Sequence, residues 1–85
     1  MFYVYVLRSS KDNQFYTGFS SDLRRRVKEH FSGVSFATKS RLPFEIIYYE
    51  AYQNEKDARA RERFLKTGWG RNYLKKNLKN FLDYT

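Results

Sequence analysis

The chain has 85 residues, which allows one domain with a modest core and marginal stability. Its 17 Lys and Arg outweigh 9 Asp and Glu, giving a net charge of +8, and it has no cysteine; disulfide staples and thiolate metal sites are therefore excluded. No apolar run approaches the roughly 20 residues of a membrane span, and Met1 to Ser10 shows neither the basic region nor the small-residue cleavage site of a secretory signal.

Phe2 to Leu7 is aromatic and β-branched and predicts a first strand. Phe2, Val4 and Val6 share one face, and Tyr3, Tyr5 and Leu7 the other. The segment from Ser9 to Asn13 is turn material. Gln14 to Phe19 predicts a second strand, antiparallel to the first, with Tyr16 facing the first strand's tyrosines or their neighbours. Ser21 is the expected N-cap of a helix running to about Ser32, with Asp22 in its first turn and Gly33 as its C′ residue. Leu23, Val27, His30 and Phe31 form the apolar stripe of that helix. Gly33 to Leu42 reads as a polar, mobile loop carrying Lys39 and Arg41. After Pro43, Phe44 to Tyr52 predicts a third strand.

Asn54 caps a second helix in a capping-box-like arrangement with Asp57. That helix is expected to end at Thr67, with Gly68 as its C′ residue. Trp69 to Asn72 then turns into a last helix with Leu74, Leu78, Phe81 and Leu82 as its buried stripe. The order β-β-α-β-α-α predicts an α+β domain, a small three-stranded antiparallel sheet flanked by helices. It spans residues 1–85 without repeats or low-complexity tracts.

Some residues do not suit a plain core. Glu62 falls on one narrow stripe with Ala58 and Leu65, so its carboxylate needs a partner. Two readings stand: an ion pair with Arg61, Lys66 or another arginine, and a ligand for a hard divalent cation. In the first helix Arg25 points to solvent. Arg26 lies about 60° from Leu23 at the edge of the apolar stripe, one turn from His30. An arginine so placed can bind a phosphate in bidentate fashion. His30 can shuttle a proton or hold a water, or be a satisfied core histidine. The tyrosines favour strands, yet can also act as general acid, base or nucleophile.

Taken together, these pieces resemble the GIY-YIG nuclease superfamily over nearly the whole chain, and most of all its stand-alone, single-domain bacterial members. The first motif reads Tyr3-Val4-Tyr5 and the second Tyr16-Thr17-Gly18. The arginine helix runs from Asp22 to His30 and the glutamate helix from Ala58 to Lys66, followed by Thr67 to Asn72. Tyr3 replaces the family's glycine, Val4 and Thr17 its isoleucines, and Phe19 a polar or basic residue found in some relatives.

The resemblance implies hydrolysis of DNA phosphodiester bonds, in DNA repair or processing. It assigns Tyr5 and Tyr16 to the site, with Tyr5 as general base or water-positioning group. Arg26 stabilises the charge on phosphorus-bound oxygens, His30 assists at the water or a phosphate oxygen, and Glu62 binds one Mg²⁺ or Mn²⁺. Tyr3, Gly18 and a C-terminal asparagine, Asn72 or Asn77, complete the set. Arg24, Arg25, Lys28, Lys39, Arg41, Lys66 and Arg71 are expected to contact nucleic acid without reading its sequence.

Within these 85 residues no separate DNA-binding domain, usual in family nucleases, is expected. Action is therefore expected to be structure-selective or non-specific, with a partner protein supplying specificity. The alternative is a nucleic-acid-binding module that has lost useful catalysis. The charge excess favours a polyanionic partner, nucleic acid first, with a basic surface kept for solubility as the blander alternative. Anionic membrane binding fits less well, because the cations spread over three helices. The lack of cysteine is compatible with a cytoplasmic location.

Overall fold

The computed structural model describes residues 1–35 and 38–83. Three strands, β1 (Phe2–Ser9), β2 (Phe15–Ser20) and β3 (Phe44–Tyr52), form one antiparallel sheet in the order β2-β1-β3. Helix α1 (Leu23–Phe31) follows β2, and α2 (Glu55–Leu65), α3 (Gly68–Asn77) and α4 (Lys79–Asp83) follow β3. The α+β class and the β-β-α-β-α-α order hold, with α4 as a short continuation of the last helix.

The central strand is covered on both faces, as its alternation requires. Val4 and Val6 pack with Ala58, Leu65 and Leu74 from α2 and α3. Tyr5 and Leu7 pack on the other face with Phe44, Tyr16 and Leu23. The register places Leu7 opposite Tyr16, Tyr5 opposite Gly18 and Tyr3 opposite Ser20. Both tyrosine motifs thus project from the face that α1 covers.

Local chemistry sets most boundaries. Asn13 closes the β1–β2 turn at φ 60, a left-handed conformation that asparagine tolerates. Gly33 follows α1 at φ 79, the left-handed C′ position expected of it. Asn54 caps α2 by accepting from the Lys56 amide at 2.8 Å.

Several boundaries differ from expectation; β1 runs on to Ser9 and β2 is Phe15–Ser20. The N-cap of α1 is Asp22, whose side chain accepts from Arg25 N at 3.1 Å; Ser20 Oγ accepts from the Asp22 amide and pulls the cap one residue along. Gly68 is the first residue of α3, because Thr67 caps that helix through Gly70 N at 3.1 Å. Trp69 to Asn72 therefore lies inside α3. Gly70 is pressed against the end of α2, where an added Cβ would sit 2.8 Å from the Leu65 carbonyl carbon. Of the last helical stripe only Leu74 is fully buried, and Phe81 is exposed, because the chain breaks at Leu78 between α3 and α4.

Candidate active site

The site is built from the bottom of β1 upward. Tyr5 lies flat over Gly18: a Cβ added there would come within 2.9 Å of Tyr5 Cε2 and closer still to Cζ and the hydroxyl. Only glycine leaves room for the ring. Tyr5 is 1% exposed, and its hydroxyl lies 2.8 Å from His30 Nε2. His30 comes from the last turn of α1 and is fully buried. Its ring meets Tyr16 edge-on, with centroids 5.1 Å apart. Tyr5, Tyr16 and His30 thus form one cluster.

Thr38 closes the far side of the histidine. Its Oγ1 lies 2.7 Å from His30 Nδ1, and the residue is fully buried. Both ring nitrogens are therefore satisfied, and the two bonds are linked. If Nδ1–H donates to Thr38, Nε2 accepts from Tyr5; if Thr38 donates, Nε2–H points at the phenol oxygen. Sequence reading missed Thr38. The stretch read as a mobile loop contains a 3₁₀ turn over Lys39–Arg41, and Ser35 and Thr38 are buried. Hydroxyls three residues apart in an otherwise basic loop were the available signal.

Arg26 sits half-buried beside this cluster. Its Nη1 donates to Glu29 Oε1 at 2.9 Å and its Nη2 reaches Ser35 Oγ at 3.5 Å. The bond to Glu29 raises the affinity of the guanidinium for its proton, and Tyr5 and Tyr16 both interact with it. Glu29 is a second residue that sequence reading left out, though its spacing from Arg25 and Arg26 announced it; its pKa is lowered chiefly by the Arg26 hydrogen bond.

The electrostatics keep the central pair neutral. Burial, followed by the Tyr16 interaction, pushes the Tyr5 phenol up to about 12. Burial, then the Arg26 charge, lowers His30 to about 4. At neutral pH the phenol keeps its proton and the imidazole carries one, not two.

Glu62 stands on α2 between the buried Ala58 and Leu65, with its side chain 14% exposed. It pairs with Lys66 Nζ at 3.1 Å and more loosely with Arg59 Nη1 at 3.9 Å. Arg61, an expected partner, turns away to Glu50, which takes Arg61 Nε at 2.9 Å and both Tyr48 and Tyr52 hydroxyls. α2 packs on the Val4 and Val6 face of the sheet and Tyr5 on the other, so the Glu62 charge is only a minor influence on the Tyr5 phenol. Among the described residues no three His, Cys, Asp or Glu side chains gather into a closed metal site. The Glu62 carboxylate, partly buried and paired with Lys66, is an oxygen donor of the kind a hard divalent cation prefers.

The remaining expected residues disperse. Tyr3 lies on the same face as Tyr5 but pairs with Tyr49, ring centroids 6.4 Å apart. Arg24, Lys28 and Lys39 are exposed. Arg25 is exposed but tied to Glu29 at 2.7 Å. Arg41 is turned inward over Phe44 and toward Asp12, and Arg71 donates to the Lys66 carbonyl at the end of α2. Asn72 and Asn77 are exposed on α3.

The family profile of the GIY-YIG catalytic domain matches residues 1–78. This chain belongs to the GIY-YIG family. The GIY-YIG chain is 37% identical over 67 residues to the UPF0213 protein CPE1444 of Clostridium perfringens, covering 78% of this chain and 71% of that protein. It is 35% identical over 66 residues to the UPF0213 protein HQ_3675A of Haloquadratum walsbyi, covering 76% and 73%. The solution structure of the UPF0213 protein BH0048 from Bacillus halodurans is similar at a TM-score of 0.55 and 32% identity, covering 87% of this chain and 82% of that one. GIY-YIG is a nuclease family, and no helix among the described residues is long and apolar enough to cross a membrane.

Proposed function

We propose that the chain is a metal-dependent endonuclease that hydrolyses DNA phosphodiester bonds. The observation that carries this reading is the convergence of Tyr5, Tyr16, His30 and Arg26 on one patch within the influence of the Glu62 carboxylate. A structural core needs no buried Tyr–His–Thr chain with a guanidinium at its mouth. Phosphodiester hydrolysis needs an activated water and positive charge on the non-bridging oxygens.

Because Tyr5 is protonated at neutral pH, it positions the attacking water as a hydrogen-bonding group; passing its own proton to His30, held at about 4, is uphill and would need the charge developing in the transition state to drive it. The 2.8 Å contact would carry that transfer in the tautomer where Nδ1–H donates to Thr38 and Nε2 accepts from the phenol. Arg26, anchored by Glu29, presents its remaining donors to the phosphate. Glu62 would hold one Mg²⁺ or Mn²⁺, which supplies Lewis-acid stabilisation of the leaving oxygen. The net charge of +8 supplies sequence-independent attraction to the backbone. Specificity is then for nucleic-acid structure, with a partner protein extending it.

Arg26→Ala separates catalysis from tethering. The reading expects cleavage to fall by about two orders of magnitude or more with binding to the same DNA little changed. Loss of binding with cleavage at saturating DNA unchanged would reduce Arg26 to a tether and overturn this role.

A further inference from the structure

A groove of about 570 Å³ opens beside the site, between α1 and the outer part of the sheet. Tyr3, Tyr49, Val27 and Phe31 line it, with Arg24 and Lys28 on the α1 side. Tyr49 is 58% exposed and Phe31 45%, so aromatic surface is left open to water where a small domain has little to spare. We propose that this groove stacks the unpaired bases of a single-stranded nucleic-acid segment whose phosphate enters the Tyr5 site. The proposal rests on the nuclease reading of that site and names the kind of substrate it takes.

Three observations point to this occupant. Aromatic faces beside cations are the pairing that single strands require, with rings for the bases and charges for the backbone. Charge comes next. Asp22 also lines the groove, but its carboxylate accepts from Arg25 N at 3.1 Å and lies 3.8 Å from Arg25 Nε. Arg25 and Arg26 are occupied by Glu29, whereas Arg24 and Lys28, one turn apart, have no carboxylate partner among the described residues. Among the cations of α1, those left over are the two at the groove.

The third observation is continuity. Tyr3 and Tyr5 project from the same face of β1 two residues apart, about 7 Å along the strand, comparable to one step of an extended nucleotide chain. A strand with its scissile phosphate at Tyr5 and Arg26 therefore delivers the neighbouring base to Tyr3 and Tyr49. Paired and stacked bases in a duplex show no free faces and cannot enter.

The test is binding by the intact chain in EDTA at low salt, so that it is read whether or not the chain cleaves. Fluorescently labelled single-stranded DNA is compared with a blunt duplex of the same sequence. A second single strand carries 2-aminopurine, whose emission is quenched on stacking. Tighter single-strand binding with quenching is expected, and Tyr49→Ala should weaken it about 5- to 100-fold while Tyr49→Phe retains it and duplex binding stays unchanged. Tyr49 is exposed, so the fold, checked by circular dichroism, should survive. Equal single-strand affinity in Tyr49→Ala, equal losses on both DNAs, or a groove that instead needs anionic vesicles for any Tyr49-dependent binding would overturn the proposal. If the groove fails while Glu62→Ala still abolishes cleavage, the nuclease reading survives alone; single-strand binding through Tyr49 with no cleavage under any metal sinks the nuclease reading and leaves the groove.

Discussion

Gly18→Ala is a one-methyl perturbation aimed at the packing of the site. The new Cβ would sit 2.9 Å from Tyr5 Cε2 and closer to the end of the ring, and Gly18 does not occupy the left-handed region. The effect is therefore steric and not conformational. Tyr5 is 1% exposed and must tilt away, which overpacks the pocket at about 1–3 kcal/mol. The 2.8 Å bond to His30 breaks, at about 1 kcal/mol or somewhat more if the buried nitrogen finds no substitute. The total is about 2–4 kcal/mol, against roughly 4–13 kcal/mol expected for a domain of this size. Thermal unfolding followed by circular dichroism should show Tm lowered by about 10–30 °C. In a Tyr5→Ala background the same substitution should cost far less, because the ring it strikes is gone. A Gly18→Ala chain with unchanged Tm, or equal costs in both backgrounds, would refute the reasoning.

The remaining predictions concern the buried groups. His30 is lowered to about 4 by burial, so between its ordinary pKa near 6.5 and about 4 the unfolded chain binds a proton that the folded one refuses. Its stabilising contribution is complete above pH 6.5 and is lost as pH falls toward 4, by at most about 3 kcal/mol; urea midpoints against pH should flatten in His30→Gln, and an unaltered slope there would contradict this. Thr38→Val strands the His30 Nδ1 group, costing about 1–3 kcal/mol and slowing cleavage at saturating DNA, with Thr38→Ser restoring both; a full-rate Thr38→Val removes Thr38 from the proton chain. Arg61→Leu uncouples Glu50 from its bidentate partner on the α2–β3 side, and should lower the urea midpoint while the folded variant keeps its cleavage rate. A folded Arg61→Leu chain with lost activity would place that network in the site.

Much of this architecture was legible because few residue types could serve. The alternation of β1 fixed both faces, and Phe44 to Tyr52 is a strand at the limits its composition suggested. Asn54 and Gly33 announced their helix ends. The errors arose where two signals competed. Ser21 and Asp22 both make good caps, and a bond from Ser20 decided between them. Gly68 looked like a helix end until Thr67 capped the next one. In the site, Tyr5, Tyr16, Arg26 and His30 come together as strand register and helix spacing imply. Thr38 was announced only by the spacing of its hydroxyl from that of Ser35, a weak signal that acquires meaning when a buried histidine 8 residues away turns to meet it. Arg41, expected at phosphate as a cation of a polar loop, lies over Phe44 and toward Asp12, a placement that no pattern in the loop announces.

The most direct test of the account is cleavage of labelled single-stranded, duplex, nicked, flapped and branched DNAs at low salt with Mg²⁺, Mn²⁺ or EDTA, with Glu62→Ala alongside. Cleavage that requires metal and disappears in Glu62→Ala, while salt-sensitive binding persists in both chains, is the predicted result. A Glu62→Ala chain as active as the parent, or a parent that binds every DNA and cuts none with either metal, would contradict it.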